Sequence, residues 1–181
     1  MIADHALRTK IYTQEECVEI CQLFQSNINV TIRDLPSKDA VKSSKVGNVE
    51  FGKVKEKVEK FKNLSLDANK HLFGFDLFQY TDLEVLLYNV YDVGGEYSWH
   101  TDAVRGEVKD IKLTALLNVS TEPFEGGELE LFFNSKPEPI TQFREPGSFF
   151  IFPSWIPHQV TPVTSGRRKT ITLFLQGPNF K

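Results

Sequence analysis

Apolar positions along the chain change their period once. Over residues 1–72 they recur at helical spacing. Thr13-Gln14-Glu15-Glu16 has the form of a capping box, and Cys17, Ile20, Cys21 and Phe24 follow at intervals of three and four. Phe51 to Phe61 repeats the pattern, with Val54, Val58 and Phe61 set among lysines and glutamates. Between these helices, residues 35–48 are polar, rich in Ser and Lys, and without periodicity, which predicts a mobile loop and a candidate lid. From Leu83 the pattern becomes one of short strands, at 83–92, 97–101, 112–119, 127–133, 138–143, 148–152, 158–163 and 168–176. Such a run of short strands with turn signals between them predicts a mainly β chain with N-terminal helices (α+β). Its core is a double-stranded β-helix, or jelly roll, with the helices packed on one sheet. One domain is expected over 1–181, with 1–72 as helical support and lid and 83–177 as the jelly-roll core.

Composition agrees with that reading and narrows it. A chain of 181 residues, 40% hydrophobic and with 15 Phe, can build a sizeable core without splitting. Its net charge of -3 gives no general attraction to nucleic acid or to an anionic membrane. No apolar run approaches the length of about 18 residues that a membrane span needs. Met1 to Lys10 lacks an apolar core of the secretory kind, so a cytoplasmic protein is expected. Cys17 and Cys21, four apart on a helix, read as small buried side chains in a reducing compartment, with a redox pair as the alternative.

The chemistry is concentrated in four residues. His100 and Asp102 are two apart at a strand end, and alternate strand residues share a face, so both can reach one ion while Thr101 turns away. His158 supplies a second imidazole from a distant segment. Two His and one carboxylate form the facial triad of non-heme Fe(II) sites, which leaves one face of the metal open. Gly166 and its neighbours predict a turn that returns the chain as a strand, placing Arg168 opposite or nearly opposite His158 in a hairpin. Parity selects among three adjacent cations. If Ile171, Leu173 and Leu175 pack outward, Arg168, Thr170 and Thr172 face the polar interior, and Arg167 and Lys169 do not. A planar guanidinium there suits a carboxylate. Glu128 and Glu130 alternate with Leu129 and Leu131 and read as a solvated face, and His5 and His71 have no metal-ligand context.

With these residues in view, the chain resembles the prolyl 4-hydroxylase branch of the 2-oxoglutarate/Fe(II) oxygenases. Tyr91-Asp92-Val93-Gly94-Gly95-Glu96-Tyr97 before His100-Thr101-Asp102 is similar to the first ligand segment of that branch. Phe124-Glu125-Gly126-Gly127-Glu128-Leu129 and Pro157-His158-Gln159-Val160-Thr161-Pro162-Val163, with Gly166 and Arg168, follow in the same order. The resemblance covers roughly residues 83–177. It implies Fe(II) held by His100, Asp102 and His158, with 2-oxoglutarate and O2 as cosubstrates and ascorbate as a reductant. It further implies that Arg168 holds the distal carboxylate, with Tyr91 and Thr170 beside the cosubstrate, and that succinate formation is coupled to hydroxylation of a prolyl residue in a peptide or protein. Tyr97, Trp99 and Trp155 lie within three residues of a ligand and are candidates to line a substrate cleft, packing being the competing role for the tryptophans. Arg168, where collagen-type enzymes carry Lys, is similar to the oxygen-sensing and bacterial types. Leu116 stands nearest to the position where the oxygen-sensing type has a further cosubstrate-binding Tyr, so that contact is expected to be missing. A monomer is expected. Two alternatives stay open: the same chemistry on a nucleic-acid base, using a basic groove of Lys38, Lys42, Lys45, Lys53 and Lys55, or a non-catalytic metal-binding jelly roll.

Overall fold

A computed structural model describes residues 5–33, 42–103, 109–133 and 135–179. The first helix, α1 (Gln14–Asn27), begins where the capping box stands: the Glu16 amide donates to Thr13 Oγ1, and the Thr13 amide donates to the Glu16 carboxylate. Its buried face is Cys17, Ile20, Cys21 and Phe24, the four positions that the apolar spacing picks out. The second, α2 (Phe51–Ala68), buries Phe51, Val54, Val58, Phe61 and Ser65. Residues three and four apart share one side of a helix, so each helix offers a single apolar stripe and rests it on a sheet.

That sheet has seven strands: β1 (Ala6–Arg8), β2 (Val30–Arg33), β3 (Lys45–Glu50), β4 (Val85–Tyr91), β6 (Lys109–Asn118), β10 (Phe149–Pro153) and β13 (Arg168–Pro178), ordered β1-β10-β6-β13-β4-β3-β2. A second sheet of four strands has the order β5-β11-β8-β9, from β5 (Tyr97–His100), β8 (Leu129–Phe133), β9 (Lys136–Pro139) and β11 (His158–Val160). A short ribbon pairs β7 (Phe124–Gly126) with β12 (Val163–Gly166). Alternation sorts the large sheet's side chains into two cores. Leu113, Ala115, Leu117, Phe149, Ile151, Ile171, Leu173 and Leu175 pack with the helices. Leu116, Phe150 and Phe152 turn the other way and pack with Leu129 and Leu131 of the small sheet. Helices on one face and a second sheet on the other is the arrangement expected, and the parity assigned to Ile171, Leu173 and Leu175 holds.

Several boundaries differ from the sequence reading, each for a local reason. The N-terminal third is not helical throughout, since β1, β2 and β3 extend the large sheet. β1 and β2 are too short for alternation to register. β3 occupies the end of the expected 35–48 lid, so Lys45 to Asn48 is strand, while residues 35–41 of that lid, Lys38 included, lie outside the described residues. The expected strand 127–133 begins two residues later, because Gly126 and Gly127 both take positive φ, 66° and 60°, and interrupt pairing. The expected 138–143 strand stops at Pro139 and gives way to a 3-10 turn at Thr141–Arg144. The larger correction concerns 158–163. It divides at Thr161-Pro162 into β11 and β12, which belong to different sheets, so His158 and Arg168 are not cross-strand neighbours. Among the described residues no helix is long and apolar enough to cross a membrane.

Candidate active site

The two imidazoles are brought together by strand register. His158 on β11 lies directly opposite His100 on β5, so their rings share a face, with centroids 4.1 Å apart. Each ring is oriented by its own backbone two residues upstream: His100 Nδ1 lies 2.7 Å from the Ser98 carbonyl and His158 Nδ1 3.0 Å from that of Ile156. A carbonyl only accepts, so each ring, when neutral, donates from Nδ1–H and keeps its lone pair on Nε2. Burial, with His158 beside it, pulls the His100 pKa down to about 4, which keeps that ring neutral at ordinary pH.

Asp102 completes the group from the turn after β5. Its amide and that of Ala103 both donate to the Ser154 carbonyl, at 2.9 and 3.0 Å, which docks the turn on the end of β10. Thr114 Oγ1 of β6 donates to Asp102 Oδ2 at 2.8 Å, and the His158 and His100 Nε2 atoms lie 3.3 and 3.7 Å from its two oxygens. Burial alone would raise the Asp102 pKa; the His158 contact, the two imidazoles and Thr114 together hold it below the usual carboxylate value. Among the described residues this is the one group of three or more His, Cys, Asp or Glu whose donor atoms converge, all within 4.8 Å of one another. The set fits Fe(II): two imidazole nitrogens and a carboxylate, each oriented by a further hydrogen bond.

The opposite wall comes from the large sheet. Arg168 on β13 pairs in register with Tyr91 on β4, and its guanidinium carbon lies 5.2 Å from the Tyr91 ring and 5.9 Å from the Phe143 ring. Arg168 is 3% exposed, and its guanidinium makes no hydrogen bond or ion pair with any described residue, although the field of Glu128 reaches it. Its stem lies against Gly127, where an added Cβ would come 3.0 Å from Arg168 Cδ. Arg167, by contrast, is exposed and pairs with Asp92 at 2.6 Å. One cavity, of about 50 Å³, is lined by the triad, Arg168, Tyr91, Thr170 and Tyr97 together with Lys42, Asn89, Leu116 and Thr172. The Tyr97 ring lies flat on His100, centroids 3.4 Å apart.

Not every expected residue reaches the cavity. Trp99 points to the outer face of the small sheet, edge-on to Phe132, because it alternates with His100. Trp155 is 41% exposed, packs edge-on against Phe75 and is also absent from the lining. Glu128 and Glu130 are half-buried rather than solvated: Glu128 pairs with Arg144, and Glu130 accepts from Gln159 at 2.6 Å. Lysines 45, 53 and 55 are tied to Asp92, Glu50 and Asp82, and Lys42 enters the cavity, so these four do not form a basic groove. The sequence reading missed Asn89 and Thr114, although the parity that places Tyr91 and Leu116 inside also places these residues two before them. For Lys42, in an aperiodic stretch, no signal was present.

A profile of the family described as the 2OG-Fe(II) oxygenase superfamily matches residues 86–176, half of the chain. The chain belongs to this family. Within the 2OG-Fe(II) oxygenases it is similar to a PKHD-type hydroxylase of Shewanella oneidensis, 36% identical over 96 residues; the match spans 50% of this chain and 42% of that protein. A prolyl-4-hydroxylase of Pseudomonas putida is similar in structure, with a TM-score of 0.75 at 16% identity, covering 97% of this chain and 94% of that one. So is a prolyl hydroxylase of Trichoplax adhaerens solved with a hypoxia inducible factor peptide fragment, with a TM-score of 0.72 at 18% identity, covering 95% and 83%. At these identities the two solved structures show a shared fold.

Proposed function

We propose that this 2OG-Fe(II) oxygenase is a dioxygenase that couples decarboxylation of 2-oxoglutarate to succinate with hydroxylation of a substrate C–H bond, a prolyl residue in a peptide or protein being the favoured target. The observation that carries the reading is Arg168. A buried guanidinium with no ion pair to a described residue is costly, and a site that only holds a metal has no need of one. It lies in the same cavity as three converging metal donors, so it marks the place of a ligand's own carboxylate.

The chain's residues divide the work. His100, Asp102 and His158 would hold the iron, and the carbonyls of Ser98 and Ile156 keep both imidazoles in the ligating tautomer. When bound, the iron supplies the activation of dioxygen. Arg168 holds the distal carboxylate of 2-oxoglutarate, and Tyr91 and Thr170 flank it; burial raises the Tyr91 pKa and keeps its phenol a donor. Leu116 adds an apolar wall where a hydroxyl would have given a further contact. Tyr97, half-buried with His100 and Lys42 against its ring, is the aromatic side chain proposed to meet a substrate. The buried walls exclude water from the chemistry. Ascorbate is proposed as the reductant. Free thiols at Cys17 and Cys21 suit a cytoplasmic setting.

The prolyl target rests on the hydroxylase relatives and on the peptide seen with the Trichoplax enzyme. The test is succinate release from 2-oxoglutarate with Fe(II) and ascorbate, together with a screen of proline-containing peptides for a gain of about 16 Da, one oxygen atom. Activity is expected to vanish in His100→Ala and Asp102→Ala. Arg168→Ala is expected to raise the KM for 2-oxoglutarate by about 30-fold or more, as removal of one member of a buried charge pair does, and Arg167→Ala to leave it near wild type. Equal effects of the two arginines would overturn the assignment.

A further inference from the structure

The cavity holds a second cation whose position the triad and Arg168 do not explain. The ammonium of Lys42 lies 4.6 Å from the centroid of the Tyr97 ring and 3.5 Å from Asn89 Oδ1. A lysine of this reach ordinarily extends its head to water. Here the backbone prevents it: Lys42 forms a β-bridge with Tyr97, and Ser43 and Glu96 exchange both amide-to-carbonyl bonds, at 2.8 and 3.2 Å. The segment is thereby pinned to the chain that leads into His100.

Its partners do not match its charge. The Asn89 contact is long, and the Asn89 amide nitrogen is turned to Thr172 Oγ1 at 3.1 Å. No ion pair joins Lys42 to a described carboxylate, and Asp102, the carboxylate whose field it feels, is already committed to Thr114 and the two imidazoles. Burial lowers the Lys42 pKa, as for an ammonium that lacks a counter-ion, and an anion placed beside it would reverse that. The two cations have different immediate neighbours in the cavity. Arg168 sits with Tyr91 and Phe143. Lys42 sits on the Tyr97 ring, which itself lies on His100, so it belongs to the metal end.

We propose that Lys42 binds the metal-side carboxylate of the 2-oxo acid, so that the cavity presents one cation to each carboxylate of a single dicarboxylate. This rests on the dioxygenase reading above and deepens it. It also says how the site manages with Leu116, which offers no hydrogen bond: selectivity for a 2-oxo acid comes from a charge at its near end instead.

The test is calorimetric binding to the full chain loaded with Mn(II), using 2-oxoglutarate and 2-oxobutyrate, which keeps the 2-oxo acid but lacks the distal carboxylate. Wild-type protein is expected to bind 2-oxoglutarate; no binding would overturn both the dioxygenase reading and this one. Lys42→Met is expected to weaken both ligands by a similar factor, about tenfold or more, as loss of a charge-assisted contact does. Arg168→Gln is expected to weaken 2-oxoglutarate alone, and Lys42→Arg to retain most of the affinity for both. Thermal unfolding establishes that each variant is folded, with Lys42→Gln available should Lys42→Met not be. Unchanged affinities in the Lys42 variant, a loss confined to 2-oxoglutarate, or a loss that Lys42→Arg shares in full would each overturn the assignment while leaving the dioxygenase reading in place.

Discussion

At the scale of single residues, glycine marks where backbone geometry serves the site. Gly94 and Gly127 both adopt positive φ, 82° and 60°. A Cβ on Gly94 would meet nothing within 4 Å, whereas one on Gly127 would press Val163 Cγ2 at 2.9 Å and Arg168 Cδ at 3.0 Å. Gly94→Ala is therefore expected to cost only the left-handed strain, about 1–2 kcal/mol, with 2-oxoglutarate affinity unchanged. Gly127→Ala carries the same strain and also displaces the Arg168 stem, so it is expected to lower both melting temperature and 2-oxoglutarate affinity. Equal affinities in the two variants would show that Gly127 serves the turn alone. This scale was the most legible in the sequence. The alternation that turns Arg168 inward and Arg167 outward is a property of any strand, and it survived although the hairpin assumed around it did not. The tryptophans show the limit: nearness in sequence to a ligand says little about a side chain, because the neighbour of an inward residue on a strand points out.

At the scale of elements, each helix is held by one apolar stripe. Phe61 of α2 is fully buried and meets Phe149 of β10 edge-on at 5.9 Å, while Lys57, one turn earlier, is exposed and pairs with Glu19. Phe61→Ala is expected to destabilise the protein by about 3–5 kcal/mol. Lys57→Ala is expected to change stability by less than about 0.5 kcal/mol. Chemical denaturation of the two variants checks the contrast. The cysteines of α1 belong to the same interface: Cys21 Sγ lies 3.3 Å from the Val119 carbonyl and Cys17 Sγ 3.9 Å from that of Asn118. Burial pushes the Cys17 thiol up to about 12 and raises that of Cys21, so neither is a ready thiolate and the packing role accounts for both. Helix stripes were legible because four buried apolar positions within two or three turns make a strong signal. A three-residue strand such as β1 makes almost none, since its membership in the sheet depends on a partner more than a hundred residues away.

At the scale of the whole molecule, distant segments are tied by charge as well as by packing. Asp92, just after β4, pairs with Lys45 of β3 at 2.7 Å and with Arg167 before β13 at 2.6 Å. The Lys45 and Arg167 hydrogen bonds hold its pKa below the ordinary value. A carboxylate depressed in the folded state stabilises above its unfolded pKa, about 3.9, and loses that contribution as pH falls through the lower folded value. Asp92→Asn is thus expected to lower stability at pH 7 by less than about 1 kcal/mol, the pair being solvent-screened, and to match wild type once the pH is below the folded pKa. Melting temperatures across pH 2–7 check this, using about 4 as the reference point. A gap that widened toward low pH would contradict it.

The two imidazoles and Arg168 stand on separate sheets: His100 and His158 on the four-stranded one, Arg168 on the seven-stranded one. Any molecule that spans the cavity is therefore a cross-brace between two layers otherwise joined by side-chain packing and the hydrogen bonds of the Asp102 turn. Under the proposed reading, filling the site is expected to stiffen the sandwich as a whole and emptying it to return the layers their freedom to breathe. The cosubstrate would in that sense be a removable part of the frame.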